Sequence, residues 1–162
     1  RGWIGQPDFD AFDRQIRSLL QANNRITAQG LAEKVGLSSA ACQKRLKRLR
    51  KSGVVTAEVA VLAPEMLGLS VTVVVQVLVS PDGVEELDRF KTTMSDAPEV
   101  MQCFYVAGEH NFTLILVLPD TAAYEEFSRR HFIENPDVAS FKSSVVMSRV
   151  KTGNQIRIEP VC

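Results

Sequence analysis

Apolar residues in the first third of the chain recur at helical spacing. Phe12, Ile16, Leu19 and Leu20 mark a helix over 10–21, with acids early and Arg17 later, and Asn23-Asn24 breaks it. Thr27 can cap a second short helix that buries Leu31, Ala32 and Val35, and Gly36 ends it. Leu37-Ser38 then turns into a third helix running to about Ser52, stopped by Gly53. Three short helices with a glycine in the tight turn before the third make a helix-turn-helix pattern.

After Gly53 the pattern changes to β-branched and apolar runs. Residues 54–62 suit a strand that carries the chain onward, closed by Pro64. A long strand follows over 69–80, then Pro81-Asp82-Gly83 as turn and helix start, with Val84, Leu87, Phe90 and Met94 on one helical face. Strands over 100–107 and 112–118 flank a connection at 108–111 of hairpin length. Asp120 caps a further helix with Ala123, Phe127 and Phe132 inward, Asn135-Pro136 ends it, and 138–150 reads as a last strand. The expected class is α+β: an N-terminal three-helix helix-turn-helix domain over 8–56, a β linker over 57–65, and a ferredoxin-like βαββαβ domain over 66–158.

Both faces of the 69–80 strand are substantially apolar, since Val71, Val73, Val75, Val77 and Val79 alternate with Thr72, Val74, Gln76 and Leu78. Two helices can cover only one face of a four-stranded sheet. The other face calls for a second copy, so a homodimer is expected, with two helix-turn-helix units on one DNA site.

Composition sharpens this picture in one respect. The 162-residue chain is neutral overall and 45% hydrophobic, as globular proteins are. Yet residues 1–56 hold 11 Lys and Arg against 4 Asp and Glu, while 57–162 hold 8 against 15. A surplus of seven positive charges therefore faces an equal negative one, and the basic unit calls for a polyanionic partner. No apolar run is long enough for a membrane span, and the N-terminal residues lack the apolar core of a signal peptide, so the expected location is the cytoplasm and no membrane partner is expected. Cys42, Cys103 and Cys162 are too few and too far apart for a disulfide framework or a Cys-x-x-Cys metal site; they read as reduced thiols, and no metal is expected.

The third helix carries the most specific chemistry. At 100° per residue, Cys42, Leu46 and Leu49 form one stripe, which packs inward. Ala40, Gln43, Lys44, Lys47, Arg48 and Lys51 form the opposite stripe, with four cations and no acid. Arg45 and Arg50 lie at the flanks, within reach of phosphates or of acids of the same domain. An ordinary solvated helix face mixes Glu with Lys in i,i+4 pairs. Six cations between Lys44 and Lys51 repel one another unless something neutralises them, and the phosphates of double-stranded DNA do so. The candidate DNA-contacting residues are Thr27, Ser38, Ser39, Ala40, Gln43, Lys44, Lys47, Arg48 and Lys51. Gln43 and Lys44 suit base edges, and Lys47, Arg48 and Lys51 suit phosphates.

In order and spacing the chain resembles the Lrp/AsnC (feast/famine) family of bacterial and archaeal transcriptional regulators from Phe9 to about Ile158. The resemblance rests on Asp13-x-x-Ile16-x-x-Leu19-Leu20, Asn24-Arg25-Ile26-Thr27, Leu31-Ala32-x-x-Val35-Gly36-Leu37-Ser38, Cys42-x-x-Arg45-Leu46-x-x-Leu49 and Gly53-Val54-Val55. Val106-Ala107-Gly108-Glu109-x-Asn111-Phe112 is similar to the family's Gly-Asp-x-Asp-Tyr hairpin, and Val145-Val146-Met147-x-x-Val150-Lys151 to its closing strand.

The resemblance implies a winged or plain helix-turn-helix over 27–46 and a C-terminal domain that pairs sheet to sheet into dimers, which can gather into octamers. It also implies a small effector, usually an amino acid, bound between dimers; by position Gly108, Glu109, His110, Asn111, Ser143, Ser144 and Val145 would hold it. No cofactor beyond that effector is implied. Three positions depart from the family pattern: Gly30 where the second helix's capping box has an acid, Asn111 where the hairpin has its second acid, and Ser144 in place of a tyrosine.

Two other functions remain to weigh. The first is an architectural DNA-binding protein without an effector. The second is an enzyme of the siroheme-decarboxylase kind, which shares this two-part layout. Such an enzyme needs His and Arg lining a large pocket and has no use for a cationic recognition stripe. His110 and His131 have no acid and nucleophile companions at telling spacing, so no catalytic residue and no enzymatic activity are expected.

Overall fold

The computed structural model describes residues 9–80 and 84–158. The first eight residues, the expected turn at Pro81-Asp82-Gly83, and Cys162 lie outside them.

The chain divides into two compact units, one made of 1–61 with 151–162 and one of 62–150. The first contains α1 (Ala11–Ala22), α2 (Ala28–Val35) and α3 (Ser39–Lys51). Each helix starts where a side chain accepts a bond from an early backbone amide: Asp10 from Asp13, Thr27 from Gly30 and Ser38 from Ala41. The reciprocal half of the Thr27 box is missing at Gly30, where an added Cβ would stand 3.3 Å from Ile26 Cγ1. Gly36, at φ 73°, ends α2 in the left-handed conformation that glycine adopts without steric penalty. The core is Ile16 from α1, Leu31 and Val35 from α2, and the expected stripe Cys42, Leu46 and Leu49 from α3.

Residues 54–63 differ from expectation. They form no strand, and Val59, Val61 and Leu62 are exposed. A strand needs a neighbour for its alternating N–H and C=O groups, and none of the described ladders includes this segment. β propensity there reports side chains that suit a sheet, not a partner.

The second unit opens with a short 3₁₀ turn (Pro64–Leu67), followed by β1 (Val71–Val79), α4 (Val84–Asp96), β2 (Val100–Tyr105), β3 (Phe112–Leu118), α5 (Thr121–Ser128), a π turn (Arg129–Ile133) and β4 (Val138–Val145). The sheet order is β2-β3-β1-β4, and every pairing is antiparallel. This is the ferredoxin-like arrangement. Val73, Val75, Val77 and Val79 of β1 and Phe112, Leu114, Leu116 and Leu118 of β3 are buried on one face, against Phe90 and Met94 of α4 and Phe127 and Phe132 beyond. Burying each such side chain contributes about 1.5–3 kcal/mol. The π turn brings Phe132 inward between Phe127 and Phe141, at ring-centroid distances of 5.6 and 5.0 Å. Val84 is exposed, so the inward face of α4 is narrower than its spacing predicts.

β4 stops at Val145, opposite Val73 and five residues short of the expected end. The amide of Val146 makes a last bond to Thr72 O (2.9 Å). Arg149 then turns to Thr72 Oγ1 (2.9 Å) and Glu65 (2.9 Å). The sequence carries the second unit to 158, whereas residues from 151 onward group with the first. There Gln21 makes three hydrogen bonds with Gln155 and Ile156, between 2.7 and 3.1 Å.

Candidate nucleic-acid interface and effector region

Within α3 the cations divide by residue type. Arg45 reaches back to α1, to Asp13 Oδ1 at 2.8 Å and Asp10 Oδ2 at 2.7 Å, and Arg48 also binds Asp13. Arg50 pairs with Glu58 at 2.7 Å. Lys44, Lys47 and Lys51 are exposed and take part in none of the ion pairs among the described residues. Arg45 and Arg50 thus meet acids of their own domain, one of the two roles open to them from sequence. Arg48 does so as well, although its helical position puts it on the outer stripe. The absence of acids in α3 itself is made good by α1 and by the segment after the helix.

Asp13 is the residue that sequence reasoning missed. Its side chain is wholly buried, and a buried carboxylate needs full hydrogen bonding and a counter-charge. Both are supplied: Arg45, Arg48 and the backbone amide of Asp10 donate to it. Asp10 in turn accepts from the Asp13 amide, which holds its carboxyl below the ordinary range. The readable signal was the Asp-x-x-Asp spacing of a capping box.

The remaining candidates lie as follows. Ser38 caps α3, and Ser39, Ala40, Gln43 and the three lysines line its exposed side. Thr27 caps α2, with its hydroxyl accepting the Gly30 amide at 3.0 Å. The N-terminus of α3, the glutamine and the lysines form one ridge of hydrogen-bond donors with positive charge, suited to base edges and phosphates.

The effector candidates fall into two groups that one chain does not bring together. The connection over 106–111 closes with Val106 N to Asn111 O (2.9 Å) and is tied to β1 by Asn111 N to Val77 O (3.2 Å). The Asn111 amide also grips Val79, accepting from its N–H (2.8 Å) and donating to its carbonyl (3.0 Å). Gly108, Glu109 and His110 ride on this tie. Ser143, Ser144 and Val145 pair with Val75, Val74 and Val73, so they sit about four residues, roughly 13 Å, along β1 from the hairpin. Ser143 is on the helix-covered face, bonded to Tyr124, and Ser144 is on the opposite face. A groove of about 400 Å³ between α4 and β2 has Lys91, Met94, Cys103 and Tyr105 among its walls, and none of the seven effector candidates lines it.

His131 stacks on Phe127 at 4.4 Å, and burial followed by the neighbouring Arg130 charge lowers its pKa. Cys42 is buried, and Cys103 is half-buried with its thiol pKa raised by burial. Among the described residues, no cluster of His, Cys, Asp and Glu could hold a metal ion, and no helix is long and apolar enough to cross a membrane.

Comparison with known proteins gives both halves a family. Residues 9–56 match the winged helix-turn-helix DNA-binding model, and 72–156 match the Lrp/AsnC ligand binding domain. An HTH-type transcriptional regulator of Sinorhizobium fredii is 44% identical over 94% of this chain and 90% of its own. The DNA-binding transcriptional activator DecR of Escherichia coli is 34% identical over 93% of this chain and 99% of its own. Among solved structures, a transcriptional regulator of Neisseria meningitidis in complex with L-Met superposes with a TM-score of 0.87 at 29% identity, covering 92% of this chain and 96% of that one. With the two domain models matching 9–56 and 72–156 and these relatives spanning nearly the whole chain, the protein belongs to the Lrp/AsnC family of helix-turn-helix transcriptional regulators.

Proposed function

We propose that this regulator, acting in the cytoplasm, docks α3 in the major groove of double-stranded DNA through Gln43, Lys44, Lys47 and Lys51, and that an amino acid bound to its second unit changes that docking. The observation that carries the DNA contact is the ridge itself: three exposed lysines that take part in none of the ion pairs among the described residues, next to a capped helix N-terminus. Each phosphate neutralised releases counterions and steepens the salt dependence of binding by about 0.9. Replacing Lys44, Lys47 and Lys51 with Ala should therefore flatten the log–log salt slope by nearly 3 in a fluorescence-anisotropy titration. An unchanged slope removes the ridge from the interface.

The amino-acid effector is supported by the Lrp/AsnC ligand-binding match and by the L-Met complex of the Neisseria relative. Hairpin residues Gly108, Glu109 and His110 of one copy would meet Ser144 of another, which suits two groups held apart within one chain. A homodimer is supported by the uncovered sheet face, where Val74, Leu78, Ile115 and Val117 lie beside the half-exposed Phe104. Thermal melting against the twenty amino acids tests the effector, since a ligand of the folded state raises the midpoint by mass action. A flat panel favours the second reading, an architectural DNA-binding protein. One observation already leans that way: the Asn111 amide is committed to Val79 and brings no charge to an ammonium group.

A further inference from the structure

Lys44, Lys47 and Lys51 supply charge to the ridge, but nothing in them fixes how α3 is rolled about its own axis. The inward stripe of Cys42, Leu46 and Leu49 is apolar, and apolar contact is weakly directional. At 100° per residue, a roll of a few tens of degrees would move Gln43 and Lys44 from one base edge towards the next. The directional contact is Asp13. One buried carboxylate on α1 binds two arginines one turn apart on α3, Arg45 on Oδ1 and Arg48 on Oδ2. Two bonds from successive turns to a rigid, planar acceptor define both the roll and the height of the helix. Asp13 is itself held by the amide of Asp10, so the clamp is anchored in the first turn of α1.

The two arginines are not equivalent. Arg45 has Asp10 as a second partner, and its side chain is only 23% exposed; among the described residues Arg48 pairs with Asp13 alone, and it is 54% exposed. Arg48 is therefore a cation on the DNA side of α3 whose charge is already met from within the protein.

From this arrangement we infer that Asp13 is a positioning residue for DNA recognition: it sets the roll of α3 and keeps Arg48 from phosphates, favouring specific over non-specific binding. This rests on the DNA-docking reading above. Losing Asp13 then has two linked consequences. α3 loses its directional anchor, and Arg48, freed of its carboxylate, becomes an additional phosphate contact on any sequence.

The test uses the full chain and two probes: a duplex recovered from a random pool with the wild-type protein, and a scrambled duplex of the same composition. Asp13→Asn keeps an acceptor for the Asp10 amide while removing the charge. It should lower the selected-to-scrambled affinity ratio by about tenfold or more, the cost of one misdirected base contact. It should also steepen the salt slope on the scrambled duplex by about 0.9. Adding Arg48→Ala to Asp13→Asn should return that slope to the wild-type value, which a merely destabilised fold would not do. Arg48→Ala alone, which leaves Asp13 paired with Arg45, should lower the affinity ratio without changing the slope; it decides the matter if Asp13→Asn does not fold. A slope flattened by about 0.9 in Arg48→Ala alone would make Arg48 a phosphate contact and overturn the inference. So would a folded Asp13→Asn with both ratio and slope unchanged. A wild-type protein that binds neither duplex overturns the DNA reading itself, and this inference with it.

Discussion

Asn111 offers the sharpest quantitative test of the second unit. It takes part in four hydrogen bonds: its backbone closes the hairpin on Val106 and reaches Val77, and its carboxamide matches both the N–H and the carbonyl of Val79. The side chain thus stands in for a backbone unit at the end of the β1–β3 ladder, beyond the last register pair, Val77 with Phe112. Asn111→Ala deletes two of the four bonds and leaves one donor and one acceptor half-buried. At about 1 kcal/mol for each bond, the loss is about 2 kcal/mol. For a unit of this size that corresponds to a fall of roughly 10–15 °C in melting temperature. Asn111→Asp restores the acid typical of the family hairpin, yet here it keeps only the Val79 N–H bond and turns a carboxylate oxygen towards the Val79 carbonyl, so it should lose about as much as the alanine variant. Thermal and urea unfolding followed by circular dichroism measure both, with an unchanged urea m-value as the sign that the native surface is intact. A melting temperature within about 3 °C of wild type for Asn111→Ala would refute the claim that this amide belongs to the sheet.

His131 should make stability depend on pH. Its folded pKa lies below its ordinary 6.5, first through burial and then through the Arg130 charge, so the unfolded chain binds the proton more readily. The contribution is complete above about 6.5 and is lost as pH falls from there through the folded value; urea midpoints at pH 7.5 and 5.5 should differ, and His131→Phe should narrow the difference. An equal difference in the variant assigns the effect elsewhere. Gly36→Ala meets no atom within 4 Å, so its cost is purely the left-handed backbone at φ 73°, about 1 kcal/mol, read as a fall of a few degrees in melting temperature. No change would mean that the helix end relaxes freely.

What the sequence made legible was mostly local. Thr27 and Asp120 cap their helices as expected, because a cap bonds an amide only three residues away. Gly36 and Gly53 take positive φ where the helical patterns end. The order β-α-β-β-α-β was readable from pattern and turns, whereas the face of β1 that the helices cover was not, since both of its faces are substantially apolar. Misreadings concern partners distant in sequence. Residues 54–62 have the composition of a strand without a ladder, and β4 leaves the ladder at Val145, opposite Val73; both depend on what lies alongside, which periodicity does not encode. The two groups of effector candidates illustrate the same limit, since spacing along the chain could not tell that Ser143 and Ser144 point to opposite faces some distance from the hairpin.

In α3 the inward stripe of Cys42, Leu46 and Leu49 lies where the sequence put it, while a charge count by position misses where the arginines reach. A helical wheel assigns Arg48 by its Cα position, but a long arginine side chain can cross to a carboxylate on the next helix, here 35 residues away in sequence. Planar guanidinium with several fixed donors suits shared, partly buried carboxylates, whereas a strongly hydrated ammonium favours solvent or a phosphate in water. In α3 the partition follows that difference: the three arginines meet Asp13, Asp10 and Glu58, and the three lysines face outward. Half of the apparent electrostatic footprint therefore serves to orient the helix, and the surplus of positive charge overstates the number of phosphates that α3 can neutralise. The same partition makes Lys and Arg non-interchangeable at these six positions, although every exchange would preserve the net charge.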